Sequence, residues 1–281
     1  MKILLTGAGG FIGKNYLENT ISSNIFTVSK SITESKKIYK NYAGDLSDLG
    51  FVKKIASEKF DVIIHTAWIG LPKRTTDLNL LNFNMYKNII DIFSAYQETK
   101  HVFLGSCLEY GNLIGRASEN TEGIEIDSFG QTKLDLLDYV KLSGITYSWI
   151  RLFYLFGPHQ HINSLTRSLH REILKKQEIS LINPNKTHDF IYIKDVVAFI
   201  DKVSGTNLIS SVYNCGSGDP VSVGQIANTI LKIMALNFQF QEQPEPALSA
   251  DITKAKKDFN WSPSYSIYSG LSETLEMTKN D

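Results

Sequence analysis

The chain has 281 residues, with 29 lysines plus arginines against 29 aspartates plus glutamates, so its formal net charge is zero. That balance leaves no basic footprint for DNA or RNA and no polybasic patch for a membrane surface. The two cysteines, Cys107 and Cys215, lie far apart with no CxxC partner and read as small buried residues of a reducing compartment. Glycine interrupts the first apolar run at Gly7, too early for a signal-peptide core, and no later run reaches about 18 apolar residues. A soluble, cytoplasmic protein is expected, with no metal site.

Apolar runs of strand length alternate with helix-period segments, which predicts a parallel sheet with helices on both faces. Ile3 to Leu5 is the first strand, Phe11 to Asn19 the first helix and Ile25 to Val28 the second strand. Val62 to His65 and Val102 to Leu104 are two more strands, with a long helix from about Leu80 to Tyr96 between them. A helix from about Ser128 to Leu142 ends at Gly144, a C-cap glycine, and Tyr147 to Leu152 returns to the sheet. Beyond Gly157-Pro158 the pattern is more broken, with a strand near Val212 to Asn214. These readings give residues 1–157 as a nucleotide-binding domain, with a later segment of about 187–215 returning to it. Residues 158–281 are then mainly a smaller, substrate-binding α/β lobe.

The strongest local signal is Gly7-Ala8-Gly9-Gly10-Phe11-Ile12-Gly13, a GxxGxxG loop between a strand and a helix. Glycines serve there because the chain must turn with positive φ and the backbone must approach a pyrophosphate at a helix N-terminus. The expected fold is a Rossmann-type, doubly wound α/β sheet. Gly7, Gly10, Phe11, Ile12 and Gly13 are the first candidate dinucleotide contacts. An NAD site usually ends its second strand on a carboxylate for the ribose 2′-hydroxyl. Here Val28-Ser29-Lys30-Ser31 carries none, and Ser29 and Lys30 suit a 2′-phosphate, so NADP(H) is favoured with NAD(H) as the alternative.

With these residues in place the chain resembles the extended short-chain dehydrogenase/reductase family of nucleotide-sugar epimerases, dehydratases and reductases. Asp45-Leu46 resembles the family's adenine-contacting pair, His65-Thr66-Ala67 the stretch beneath the cofactor, and Asn84 its helix asparagine. Gly105-Ser106-Cys107-Leu108-Glu109-Tyr110-Gly111 resembles the segment that carries the catalytic serine, here Ser106. Arg151 to Gly157-Pro158 is similar to RxxNxYGP, with Tyr154 and Phe156 replacing Asn and Tyr. His188 to Asp195 is similar to RDFxxVxD, with His188 replacing arginine. Tyr213 to Gly218 and Trp261-Ser262-Pro263 complete the likeness. The resemblance adds Thr66, Ala67, Trp68, Lys133 and Phe153 to the cofactor contacts, and implies a nucleotide-sugar substrate and a homodimer built on the two long helices.

One departure bears on chemistry. The family's YxxxK motif stands here as Phe129-Gly130-Gln131-Thr132-Lys133, with 129 and 133 one helical turn apart. In the family the lysine holds the nicotinamide ribose and lowers the tyrosine pKa, and the tyrosine exchanges a proton with the substrate oxygen. Phenylalanine cannot, and loss of a positioned acid/base group costs about 10²–10⁴-fold in rate. Phe129 is either an engineered one-oxygen change, or a natural one in a chain that uses another acid or has become a binding protein. Cys107 and Leu108 replace a dehydratase's acidic pair, so 4,6-dehydration ranks low. The favoured reaction is NADPH-dependent reduction of a nucleotide-linked 4-keto-6-deoxyhexose, with 4-epimerisation on retained NAD as the alternative. A non-catalytic NADP(H)-binding sensor or scaffold is the reading of another class. Ser106, Phe129 and Lys133 are the catalytic positions. Trp68, Ser106, Cys107, Glu109, Arg167, Arg171 and His188 are candidate substrate contacts, the last three as cations for the sugar pyrophosphate.

Overall fold

The structure, a computed structural model, describes residues 1–30, 34–175, 181–206 and 210–277. Seven strands form one sheet: β1 (Ile3–Thr6), β2 (Ile25–Ser29), β3 (Ile38–Ala43), β4 (Val62–His65), β5 (Lys100–Ser106), β7 (Thr146–Leu152) and β11 (Ser211–Cys215). Their order is β11-β7-β5-β4-β1-β2-β3. β1 pairs in parallel with both β2 and β4, β2 with β3, and β4 with β5. Parallel sheets are covered on both faces, so their inner strands are apolar throughout rather than alternating. All four residues of β1 and of β4 are buried accordingly. β1 is where the strand order reverses, and α/β sheets bind ligands beyond the carboxyl ends of the strands at such a point.

The flanking helices are α1 (Phe11–Asn19), α2 (Leu49–Ala56), α3 (Thr76–Phe93) and α4 (Ser128–Leu142). Side chains fix their starts. Asp48 accepts from Gly50 and Phe51 N–H, Thr75 from Leu78 N–H, and Asp127 from Gly130 N–H at 2.7 Å. The Thr75 cap starts α3 a turn before the expected Leu80. At the other end of α4, Gly144 takes φ +74° just past the C-cap, the left-handed stop that glycine supplies without strain. The core beneath these helices includes Trp149, Ile63, Phe103 and Ile90, all at most 1% exposed.

The chain divides into two compact units. Unit 1 comprises residues 1–112, 122–151 and 197–213. Unit 2 comprises 113–121, 152–196 and 214–281, so residues 113–121, 152–157, 187–196 and 214–215, expected with the nucleotide domain, fall in unit 2. In unit 2 three short pairs replace a sheet. β8 (Tyr154–Phe156) runs parallel with β10 (Phe190–Tyr192), β9 (Thr187–His188) antiparallel with β12 (Val221–Ser222), and β13 (Leu248–Ala250) parallel with β6 (Gly115–Ala117). Helices α5 (Leu165–Leu174), α7 (Val223–Ile233), α8 (Thr253–Phe259) and α9 (Ile267–Met277) lie in it, and α6 (Ile193–Ser204) begins there.

Two buried carboxylates tie unit 2 together. Asp189 accepts from Ser217 N–H and hydroxyl, Gly218 N–H and Ala250 N–H; burial raises its pKa while these four donors pull it down. Asp195 accepts from Ser264 N–H and hydroxyl and from Tyr265 N–H. Both aspartates of the RDFxxVxD-like segment are therefore clamps on C-terminal loops. No helix among the described residues is long and apolar enough to cross a membrane.

Candidate functional site

The glycine loop leaves the carboxyl end of β1 and is tied to β2 by Gly7 N–H donating to Val28 O at 2.8 Å. Gly7 has φ +71°, and a Cβ there would lie 2.6 Å from Ala67 N. A Cβ on Gly13 would lie 2.4 Å from Gly7 O and 2.7 Å from Ala8 Cα. The loop is thus closed to side chains by backbone on two sides. Gly10 caps α1 without any side-chain hydrogen bond, which leaves first-turn N–H groups of α1 for an anion.

Beside this loop lies a cavity of about 410 Å³, wholly within unit 1. Gly7, Gly10, Ser29, Lys30, Asp45, Leu46, Thr66, Ala67 and Trp68 all line it, joined by Gly9, Gly44, Ile69 and Met85. Thr66 donates to Thr6 O at 2.6 Å and the Tyr86 hydroxyl donates to Ala67 O, which hold the segment after β4 against the loop. A side-chain-free turn, open helix N–H groups and a cavity along the strand ends fit a dinucleotide.

Lys30, the side chain expected to meet a 2′-phosphate, forms an ion pair with Asp45 at 3.3 Å. Asp45 also accepts from Ser47 N–H at 2.9 Å, and these contacts, the backbone bond foremost, lower its pKa. Ser31 lies outside the described residues. Phe11, Ile12 and Gly13 do not line the cavity; Gly13 is buried as a packing position of α1. Asn84 needs correction. It is exposed on α3, whereas Asn82, two residues earlier and wholly buried, takes Ile69 N–H on its oxygen at 2.7 Å and donates to Ile69 O and Leu78 O. Asn82 therefore fixes the loop that carries Trp68. The first residue of the asparagine pair faces inward because the helix period puts it on the same side as Asn79 and Met85.

The catalytic positions meet where α4 packs on the 3-10 turn Cys107–Tyr110 that follows β5. Gly130 allows the approach, since a Cβ there would sit 2.2 Å from Leu108 O. Ser106 is at the end of β5 and its hydroxyl accepts from Leu108 N–H at 3.2 Å. Phe129 and Lys133 are both buried on α4. Phe129 meets the Trp68 ring edge-on at 5.5 Å and lies under the Arg74 guanidinium, also at 5.5 Å. The Lys133 ammonium donates to Leu104 O at 2.8 Å and sits 3.4 Å from the centre of the Trp68 ring. Burial pushes the Lys133 pKa down to about 7, against the pull of the Glu109 carboxylate.

Glu109 is not a pocket residue. It is 1% exposed and accepts from Ser106 N–H at 2.8 Å, Trp149 Nε1 at 3.0 Å and Arg151 Nε at 2.6 Å. Arg151 in turn donates to the Tyr110 hydroxyl at 2.8 Å. Burial opposes the Arg151 charge, and Glu109 with Tyr110 more than offsets it. A helical turn, rather than an extended strand, aims Glu109 inward. Cys107 is likewise buried.

The remaining predicted residues belong to unit 2. Phe153 is buried there, its N–H donating to Cys215 O. Arg167 donates to Gln160 O at 3.0 Å and Arg171 to Ile162 O at 3.4 Å, so both brace the loop before α5. His188 stacks on Tyr154 with ring centres 3.9 Å apart, which brings together the replacements for the family's arginine and asparagine. Burial, with Lys186 nearby, pushes its pKa down to about 4, so near neutral pH it supplies no cation and cannot stand in for the arginine. Among the described residues no His, Cys, Asp and Glu side chains group to hold a metal.

The NAD dependent epimerase/dehydratase family model matches residues 3–216. Among relatives, an uncharacterised UDP-glucose epimerase of Bacillus subtilis, YtcB, is 28% identical over 306 residues, covering 98% of this chain and 97% of that protein. The dTDP-glucose 4,6-dehydratase of Bacillus anthracis, solved with NAD, matches with a TM-score of 0.85 at 22% identity, over 100% of this chain and 97% of the other. A tyrosine-to-phenylalanine mutant of UDP-glucuronic acid 4-epimerase from Bacillus cereus was solved with UDP-4-deoxy-4-fluoro-glucuronic acid and NAD. It matches with a TM-score of 0.84 at 22% identity, over 98% of both chains. At these identities the two solved structures establish the fold.

Proposed function

The chain belongs to the NAD dependent epimerase/dehydratase family, and from that premise we propose that it is a nucleotide-sugar 4-epimerase that keeps NAD bound through its cycle. The observation that carries this reading is the Lys30–Asp45 ion pair at 3.3 Å. The cation that would favour NADP is already matched by a carboxylate on the same cavity wall, and a 2′-phosphate there would face the Asp45 charge. The UDP-glucose epimerase name of the Bacillus subtilis relative points the same way. The reductase reading keeps one support, the missing acid at the end of β2.

NAD, when bound, would supply reversible hydride chemistry at the sugar carbon. The Gly7–Gly13 loop and the start of α1 hold the pyrophosphate, and Asp45 and Leu46 the adenine. Ser106 holds the reacting sugar oxygen at the end of β5. Lys133 orients the nicotinamide ribose from α4. Arg167 and Arg171 are the proposed cations for the sugar pyrophosphate. Phe129 keeps the shape of the family's acid/base position without its hydroxyl, so turnover is slow.

Purified without added nucleotide and then denatured, the protein should release NAD. Release of NADP, or rapid exchange of external NADPH coupled to its oxidation by a 4-keto sugar, would return the reductase reading.

A further inference from the structure

A carboxylate buried in a protein interior is costly unless each oxygen has work to do. Glu109 is such a group: it is 1% exposed and is not among the residues lining the dinucleotide cavity. The chain makes room for it. A Cβ on Gly105 would fall 2.4 Å from Glu109 Oε1 and 2.1 Å from Trp149 Nε1, so glycine at 105 admits the carboxylate beneath the end of β5. There Oε1 accepts from Ser106 N–H at 2.8 Å and from Trp149 Nε1 at 3.0 Å, and Oε2 accepts from Arg151 Nε at 2.6 Å. Trp149 Nε1 also reaches Oε2, at 3.2 Å.

Ser106 is thereby held at two points. Its N–H is tied to Glu109 and its hydroxyl oxygen accepts from Leu108 N–H, within a capping box at the start of the 3-10 turn. A hydroxyl that accepts one backbone N–H keeps its own O–H to donate, and that O–H can still rotate towards a partner.

We propose that Glu109 is a positioning residue: anchored by Arg151 and Trp149, it holds Ser106 N–H and so fixes the Ser106 hydroxyl as the hydrogen-bond donor to the reacting sugar oxygen. The inference rests on the epimerase reading above, in which Ser106 holds that oxygen. The position calls for a carboxylate because all three partners are donors. Glutamine offers one acceptor oxygen and an NH2. With that oxygen on Ser106 N–H, the NH2 faces Arg151 Nε, a donor against a donor. The bond to the charged guanidinium is the stronger, so the amide turns to Arg151 and its NH2 then meets Ser106 N–H. The serine is released although the side chain keeps its size.

The test is a double-mutant cycle between Glu109→Gln and Ser106→Ala, made in the Phe129→Tyr form for its faster turnover. The probe is the best converted of a panel of UDP-hexoses, and thermal midpoints show that each variant is folded. Ser106→Ala should lower kcat about 10²–10³-fold, the cost of one oriented donor. Glu109→Gln should lower it up to about 100-fold, as misplacement of a reacting group does, with KM little changed. In the Ser106→Ala form the same change should cost less than about threefold, because no hydroxyl remains to be positioned. Should Glu109→Gln fail to fold, Trp149→Phe takes its place in the cycle, since it removes one donor from the carboxylate and keeps the ion pair. Its loss in kcat should likewise disappear in the Ser106→Ala form. Equal losses with and without the Ser106 hydroxyl would make Glu109 a structural residue and overturn the proposal. An undiminished kcat in Ser106→Ala, or in the folded variant that breaks the Glu109 contacts, would do the same. If the Phe129→Tyr form binds NAD yet converts none of the panel, the epimerase reading itself fails and this inference falls with it.

Discussion

The glycine loop and the face of α4 are built by opposite means. The loop works with backbone, because Gly7 and Gly13 leave no room for a Cβ and the open N–H groups of α1 stand where an anion would bind. The α4 face works with side chains: Lys133 sits over the Trp68 ring, Phe129 meets that ring edge-on beneath Arg74, and Glu109 and Arg151 form a buried ion pair. A backbone site tolerates few residues but little else is asked of it. A side-chain site depends on the packing of its members, and here Phe129 packs against Trp68 and Arg74. On the proposed reading, dinucleotide binding depends on the loop and proton chemistry on the α4 face, so the two can be altered separately.

The sharpest way to break this contrast is to remove the charge beneath the α4 face. Glu109→Ala would take from Arg151, 8% exposed in its side chain, the carboxylate that balances its buried charge. Such a break costs about 3–5 kcal/mol, read as a shift in the urea or thermal midpoint. A loss below about 1 kcal/mol, the range of exposed pairs, would mean that water reaches Arg151 and that the face is not sealed.

Gly13→Ala tests the other side. Its Cβ would meet the backbone of Gly7 and Ala8, which cannot swing away as a side chain can. Overpacking of this kind costs about 1–3 kcal/mol, and if it is spent on opening the cradle NAD affinity falls by about 10–100-fold. Unchanged affinity would show that the loop is not the pyrophosphate holder.

What could be read from the amino acids follows the same division. The segments Phe11–Asn19, Val62–His65 and Ser128–Leu142 fall where the elements were expected, because periodicity, a glycine punctuation or a cap marks each. β3 was not legible: Tyr39 and Lys40 are exposed on this outermost strand, so its apolar pattern is diluted. The cradle residues were legible because glycines announce backbone geometry. The inward turn of Glu109 was not, since a short 3-10 turn after a strand has no periodic signal. Asn82 and Asn84 sit in one apolar run, and only the helix phase, set by Met85 and Tyr86 facing the core, separates them. The clamps Asp189 and Asp195 were visible only as a resemblance, since their partners lie 28 and 69 residues away.

The most direct test is to incubate a UDP-hexose with this chain and with Phe129→Tyr, adding no nucleotide, and to follow the sugar's anomeric proton signals by NMR. Both proteins should equilibrate the two C4 epimers, the tyrosine form faster by about 10²–10⁴-fold. A tyrosine form that leaves every UDP-hexose unchanged, or that acts only when NADPH is supplied and consumed, would contradict an epimerase built on retained NAD.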